Sequence, residues 1–309
     1  VAFVVGLVFS TEAGNWPSWR GDVAGSGIVR GEKIPLEWGT KKNVRWRVPL
    51  PDRGNSSPIV WGDKVFITQA TDSDKRRTVM CFDKHTGELL WRTGVTYTKA
   101  EKTHKTNPYC SGSPATDGRV VVANYASAGV AAYDLEGQQL WHRKLGPQDH
   151  IWGNGTSPVL FGDLCIVYHG PGPGSSLHAL DKLSGRTIWK RKVEEKNDPN
   201  RVDGFRGGNG AINGAFTTPI IIEVQGRHEL ILSEANTLRA LSPEDGSELW
   251  RCNGLNPLIY TSPVYDGKLV LSMGGYFGAS IAVKPGGSGD VTAKRLWHDP
   301  RSKKNRLGT

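Results

Sequence analysis

The sequence predicts an all-β fold, a β-propeller of four-stranded antiparallel blades, and three observations predict it. First, a four-part pattern recurs five times. Each copy opens on Ser/Thr-Pro and an apolar run, as in Ser57-Pro58-Ile59-Val60, followed by a turn and a second apolar run, as in Gly62-Asp63 and Val65-Phe66-Ile67. Second, a third run leads through a Gly turn into a fourth run carrying a Trp. These segments read CFDKHTGELLW (81–91), AYDLEGQQLW (132–141), ALDKLSGRTIW (179–189), ALSPEDGSELW (240–250) and AVKPGGSGDVTAKRLW (282–297). In the first four the Trp falls four residues after the Gly: Gly87/Trp91, Gly137/Trp141, Gly185/Trp189 and Gly246/Trp250. Third, 39 Gly and 18 Pro suit a chain full of turns, and no long helical period is present. A repeat of roughly 40–60 residues made of four short strands marks a propeller and not a helical array.

Each element of the repeat has a physical reason. One four-stranded sheet is too small to bury both faces, so blades must stack around an axis, which leaves only short edges. The Gly permits the positive φ of a tight hairpin turn. Asp, Ser and Thr beside it cap the turn through side-chain to backbone hydrogen bonds. The small residue of the third run (Cys81, Ala132, Ala179, Ala240, Ala282) is placed where blades approach closely. The Trp of the fourth run covers the gap between neighbouring blades with a large apolar area. This predicts docking roles for Trp91, Trp141, Trp189, Trp250 and Trp297. Residues 55–298 should form five blades with almost no helix.

The A-x-D-x-x-T/S-G-x-x-x-W pattern resembles the tryptophan-docking repeat of pyrroloquinoline-quinone (PQQ)-like propellers. That superfamily includes quinoprotein alcohol dehydrogenases and the outer-membrane assembly lipoprotein of the Bam complex. Asn15-Trp16-Pro17-Ser18-Trp19-Arg20-Gly21 resembles the start of an exported bacterial branch of it. The resemblance covers nearly all of residues 15–309. It implies the fold strongly and an activity weakly, because the repeated residues are the ones that hold blades together.

The ends are read as incomplete. Val1 to Phe9 is apolar and uncharged, and Ser10-Thr11-Glu12-Ala13 ends in a small residue, so residues 1–13 read as the remnant of a signal peptide. Residues 14–309 are then one propeller domain of an exported protein, periplasmic or secreted, with no membrane-spanning segment. No lipobox Cys follows the apolar run, so a lipid anchor is not expected. Asn43 to Leu50 looks like a fourth strand with its own docking residue, Trp46, and no preceding strands. Five complete repeats plus this orphan imply a truncated seven- or eight-bladed ring. Trp16 is expected to lie in a flexible segment outside the blades.

Charge and cysteines narrow the function classes. The net charge is +9 and the pI about 9.4, but the cations are scattered and interleaved with acids. No basic stripe with aromatics exists, so nucleic acid is not an expected partner. Cys81, Cys110, Cys165 and Cys252 have no C-x-x-C spacing; Cys81 and Cys165 read as buried free thiols, and pairing is left open.

A PQQ dehydrogenase, as the resemblance implies, needs a cation held by Glu, Asn and Asp oxygens, Arg or Lys for the quinone carboxylates, a stacking Trp, a catalytic Asp and a vicinal Cys-Cys ring. The chain has no vicinal cysteines and no clustered oxygen ligands that read as a calcium site. No cofactor and no metal are therefore expected. The eight His lack metal spacing, Gly-x-Ser-x-Gly is absent, and the Gly-rich stretches 170–174 and 207–210 open no helix.

A ligand site, if present, belongs at the mouth where the innermost strands begin. Arg53, Asn55, Tyr109, Trp152, Asn154, Phe216 and Tyr260 precede those strands, and the insertion 194–214, with Arg201, Arg206 and Asn209, is expected over them. Aromatic and amide groups suit a sugar, a peptide or a cofactor remnant equally. Two readings remain: a non-enzymatic binding or assembly scaffold of the cell envelope, holding another envelope protein or a small ligand at the mouth, and a quinoprotein-type dehydrogenase with a degenerate or truncated site. The first is preferred.

Overall fold

The structure, a computed structural model, describes residues 14–29, 34–172, 174–195, 212–275 and 278–300. Its strands, in chain order, are β1 (Ile59–Trp61), β2 (Lys64–Thr71), β3 (Arg76–Asp83), β4 (Leu89–Thr96), β5 (Ala115–Thr116), β6 (Val121–Asn124), β7 (Val130–Tyr133), β8 (Gln139–Arg143), β9 (Val159–Phe161), β10 (Leu164–His169), β11 (Ser176–Asp181), β12 (Thr187–Lys192), β13 (Gly214–Ala215), β14 (Ile220–Val224), β15 (Arg227–Glu234), β16 (Thr237–Leu241), β17 (Glu248–Asn253), β18 (Leu258–Ile259), β19 (Val264–Tyr265), β20 (Val270–Met273), β21 (Ser280–Val283), β22 (Gly289–Asp290) and β23 (Trp297–Asp299). Five antiparallel sheets, β1–β4, β5–β8, β9–β12, β14–β17 and β19–β21 with β23, follow one another along the chain as five blades. Two single turns of 3-10 helix are the only helical elements among the described residues. The second and third strands of each blade carry the core: β6, β7, β10 and β11 are buried almost end to end. β13 and β18 form a separate parallel pair, and β22 adds a fifth strand to the fourth blade.

The docking Trp works by a specific contact. The Trp46, Trp91, Trp141 and Trp189 indole N–H groups donate to the carbonyls of Lys84, Leu135, Lys182 and Pro243 at 2.8, 3.0, 2.9 and 2.9 Å. Each acceptor lies in the third-to-fourth-strand turn of the following blade. The Gly of that turn lies flat against the indole. A Cβ built on Gly87, Gly137, Gly185 or Gly246 would stand 2.6 to 2.8 Å from the ring of that same Trp. The turn Gly is thus required twice, for its φ of +70° to +89° and for the space the Trp occupies. The turn is braced by Asp83, Asp134 and Asp181, whose Oδ1 atoms accept backbone N–H groups two to four residues on.

Two Trp depart from the repeated arrangement, and a third makes the contact without its strand. Trp250 is fully buried, but its indole N–H donates to Glu229 Oε2 at 2.8 Å, and the following turn, in the fifth blade, is longer and Gly-rich. Trp297 in the last blade is 42% exposed and meets no following turn among the described residues. Trp46 docks on Gly87, but residues 43–50 form no strand, a correction to the expected orphan strand. Strand backbone needs a paired edge for its polar groups, and the described residues offer none there.

The Ser/Thr-Pro that opens each repeat forms a belt around the axis. Ser57 N–H donates to Ser113 Oγ, Ser113 N–H to Ser157 Oγ, Ser157 N–H to Thr218 Oγ1 and Thr218 N–H to Ser262 Oγ, all at 2.9–3.0 Å. From the second blade on, each hydroxyl accepts from the blade before it, and Ser113, Ser157, Thr218 and Ser262 are buried where water cannot substitute. The Pro that follows removes a donor that would have no partner at this close approach. Ser157→Ala should leave the Ser113 N–H buried and unpaired, at a cost of about 1–3 kcal/mol. Chemical denaturation checks this, and no loss of stability would argue against the belt.

Residues 15–25, expected to be flexible, are a strap along the free inner edges of the blades. Asn15 Oδ1 accepts the Gly62 N–H at 2.8 Å, and Trp16 and Val60 exchange two backbone hydrogen bonds of 2.8 Å in an antiparallel bridge. Pro17 O then accepts from Thr116 N–H on β5, and Val23 O from Ile221 N–H on β14, both at 2.8 Å. The strap therefore ties the first, second and fourth blades together. It takes up backbone groups that the inner strands cannot satisfy within their own sheets. Trp16 is half-buried with Gly21 against its ring. Trp16→Ala should cost about 1–3 kcal/mol, less than a fully buried Trp but above an ordinary surface change. An unfolding midpoint indistinguishable from the parent would show that the strap does not bear on stability.

Candidate functional site

The residues that precede the inner strands converge from different blades, and three of them meet. Trp152, Phe216 and Tyr260 form a half-buried aromatic cluster, with Trp152 6.4 Å from Phe216 and 6.0 Å from Tyr260 between ring centroids, and Phe216 6.2 Å from Tyr260. The rings are tilted by 34–46°, so they make a faceted shelf and not a stack. His150 closes it from the buried side, edge-on to Phe216 at 5.0 Å and to Trp152 at 5.8 Å. Its Nδ1 accepts the Trp152 N–H at 3.2 Å, which puts the ring proton on Nε2. Burial pushes its pKa down to about 4, so the ring is neutral near pH 7.

The other expected mouth residues are engaged elsewhere. Exposed Arg53 donates from Nη1 to Lys105 O, and Asn55 from Nδ2 to Thr106 O, both at 3.0 Å, so they fasten the 51–56 segment to the next blade. Asn154 Nδ2 donates to Gly170 O and to Thr156 Oγ1. Tyr109 is part of an internal box: its hydroxyl donates to Glu101 O at 2.5 Å, and the Arg77 guanidinium lies 4.0 Å from its ring centre. Arg77 pairs with Glu101 at 3.2 Å, both almost fully buried. The cavity between Arg77, Glu101, Tyr109, Asn124 and Asn154 has room for about one water molecule. Arg201, Arg206 and Asn209 lie outside the described residues.

The flanks of the insertion are described, and they hold a buried carboxylate. Glu195 Oε1 accepts the Tyr168 and Ser175 hydroxyls at 2.7 Å each, and Oε2 accepts the Gly172 N–H at 3.0 Å. Asn213 Nδ2 donates to Glu195 O at 2.9 Å, pinching the two ends of the insertion together. Burial raises the Glu195 pKa, and the donors counter it. The Gly170–Gly174 loop thus receives an anion after all, the chain's own. No sequence motif announces Glu195, Arg77 or Glu101. His150 was visible only as a lone His without metal spacing.

The fit of a quinone and its cation can be tested on these groups. Among the described residues no three of His, Cys, Asp and Glu come together to hold a metal ion. The Trp152 ring is packed into the shelf, the Arg53 guanidinium is tied to a backbone carbonyl, and the strap crosses the inner edges of the blades. These groups are engaged by the chain itself, and Arg201, Arg206 and Asn209, expected over the mouth, lie outside the described residues. The four cysteines are free and buried, and burial lifts Cys81 and Cys110 to about 12, so none is a ready thiolate near pH 7.

Comparison with known proteins adds the family context. A family model described as outer membrane protein assembly factor BamB matches residues 37–169 and again 173–305. The outer membrane protein assembly factor BamB of Alkalilimnicola ehrlichii is 24% identical over 219 residues, 71% of this chain and 48% of that protein. A polyvinylalcohol dehydrogenase of Sphingopyxis sp. is 21% identical over an alignment covering 96% of this chain and 52% of that protein. The chain spans about half the length of these two relatives. Among solved structures, BamB from Moraxella catarrhalis superposes with a TM-score of 0.55 at 18% identity, over 84% of this chain and 67% of that one. A europium-containing methanol dehydrogenase gives 0.62 at 13% identity, over 96% and 61%. At these identities the structural likeness speaks for the β-propeller fold.

Proposed function

The chain belongs to the PQQ-like repeat family whose model is described as outer membrane protein assembly factor BamB, and on that premise we propose that it is a non-enzymatic binding and assembly scaffold of the cell envelope. The observation that carries this reading is how the polar groups at the mouth are used. Arg53, Asn55, Asn154, Tyr109, Glu101 and Glu195 are all hydrogen-bonded to the chain itself. What the mouth presents is the aromatic shelf of Trp152, Phe216 and Tyr260. Large half-buried aromatics beside amides are recognition chemistry, because they supply contact area at low entropic cost.

The partner is another envelope protein that docks an apolar side chain on this shelf, and the protein acts after export, in the periplasm or outside the cell. Among the described residues no helix is long and apolar enough to cross a membrane. Residues 1–13, read as the remnant of a signal peptide, lie outside the described residues. The dehydrogenase reading draws on the polyvinylalcohol and methanol dehydrogenase likenesses; against it stands the engagement of Arg53, Asn55 and Asn154 by the chain's own carbonyls among the described residues.

Site-specific photo-crosslinking tests the scaffold. A photoreactive phenylalanine analogue at Phe216 or Tyr260 of the full-length protein, expressed in its own host, should capture a protein of the envelope. Capture of no protein from either position, together with dye-linked alcohol oxidation on adding PQQ and calcium, would overturn the scaffold in favour of the enzyme.

A further inference from the structure

The outer strand of each blade has one backbone edge left after pairing inward, and the fourth blade shows what such an edge can take. β22 lies along β17 in parallel, with Gly289 opposite Trp250 and Asp290 opposite Arg251. The seam combines backbone and charge. Val291 N–H donates to Arg251 O at 2.9 Å, and Asn253 N–H donates to Thr292 Oγ1 at 3.0 Å. The Arg251 guanidinium lies 3.5 Å from the Asp290 carboxylate. β22 is only two residues long, with Gly289 at a φ of +64° and the chain leaving the edge at Val291 into a 3-10 turn, so the edge holds a short parallel bridge whose Asp290 faces a cation on the strand.

The third blade has the equivalent edge, and β12 ends its sheet with no further strand among the described residues. The docking Trp fixes the equivalence. Trp189 stands opposite Ala179 as Trp250 stands opposite Ala240. Lys190 then takes the place of Arg251, and Lys192 that of Asn253. With the two-residue period of a strand, the backbone groups of 190 and 192 face the open edge, as those of 251 and 253 do. Both lysines are exposed, and neither is in an ion pair among the described residues. The other edges offer less. The equivalent positions are Arg92 and Gly94 in β4, and His142 and Lys144 beside β8, where the His142 ring is bonded to Ala128 O.

We propose that the outer edge of β12 docks an extended acidic segment of a partner protein as an added parallel strand, its acidic side chains two residues apart facing Lys190 and Lys192. Edge lysines repel basic strands and resist desolvation by neutral ones, and so keep such an edge from pairing with other copies of the chain. An acidic strand turns the same two charges into attraction, while backbone hydrogen bonds supply register. This deepens the scaffold reading and rests on it.

The probe is a fluorescein-labelled peptide, Gly-Ser-Gly-Asp-Val-Asp-Ala, which is residues 287–293 of this chain carrying Thr292→Asp. Its anisotropy is followed against the full-length protein at low salt. Saturable binding is expected, at least tenfold weaker in the Lys190→Glu/Lys192→Glu variant. A peptide with lysines in place of its aspartates should then prefer that variant. Hydrogen exchange should slow at residues 188–193 with the acidic peptide bound. No binding up to about 1 mM, or equal binding to parent and variant, overturns the proposal. The two readings fail separately. Mouth crosslinks kept while the peptide does not bind leave the scaffold and remove the edge; peptide binding without mouth crosslinks does the reverse.

Discussion

Trp141→Ala is expected to lower stability by about 3–5 kcal/mol, the range for a buried large aromatic. Gly185→Ala, one methyl group on the other side of the same contact, is expected to cost nearly as much. Trp141 is 7% exposed and its indole N–H is bonded to Lys182 O. A Cβ on Gly185 would stand 2.6 Å from that indole, at a φ of +70°. The left-handed backbone costs alanine about 1–2 kcal/mol, and overpacking a filled contact adds about 1–3 kcal/mol. The two changes should not add, since removing the indole removes the clash. Trp297→Ala, at a half-exposed Trp with no turn upon it among the described residues, should cost less than about 1 kcal/mol. Equilibrium denaturation of the three single variants and of the Trp141→Ala/Gly185→Ala double variant checks the set. Equal losses at Trp141 and Trp297 would contradict the docking role.

Acid should destabilise the fold well above the range where carboxylates titrate. His150, His169 and His178 are 7%, 4% and 4% exposed, and burial first of all pushes each pKa down to about 4. His169 and His178 lie 6.1 Å apart, with Lys190 and, for His178, Arg143 adding to the effect. In the unfolded chain these rings take up protons near pH 6.5. The unfolded state therefore binds more protons as pH falls below that value, and the folded state is left behind until about pH 4. The stability contributed is complete above about pH 6.5 and is lost on the way down to pH 4. At 1.36 kcal/mol per pKa unit, the three together are worth on the order of several kcal/mol, a large share of an ordinary domain's stability. Urea midpoints between pH 7 and 4.5 should fall, and less steeply in His178→Gln. A flat profile would show that these rings are not held neutral.

The blades were legible because their residues recur at fixed spacing: Gly185 and Trp189 are four apart, as are Gly137 and Trp141. What each Trp touches was not legible, because Trp141 meets the glycine of the next repeat, 44 residues on. The hydroxyl belt was hidden for the same reason. Its donors and acceptors are 44–61 residues apart, and a Ser-Pro reads locally only as a strand start. The strap left no signal, because its bonds to Val60, Thr116 and Ile221 are backbone to backbone and independent of side-chain pattern. At the mouth, position relative to the inner strands pointed to Trp152, Phe216 and Tyr260, which meet. It also pointed to Arg53 and Asn55, whose side chains turn to the carbonyls of residues 105 and 106. Glu195 has no motif. Its burial depends on a loop that supplies donors from Gly172 and Ser175.

Calorimetric titration of the full-length protein with PQQ in the presence of calcium tests the scaffold reading most directly. The quinone's three carboxylates would need several converging cations, and among the described residues only Arg53 of the cations expected at the mouth is present, tied to the Lys105 carbonyl; a trianion so held loses more solvation than it gains. No saturable heat is expected, with or without calcium. One-to-one binding at micromolar concentration or tighter, lost in Trp152→Ala, would contradict the scaffold and restore the enzyme.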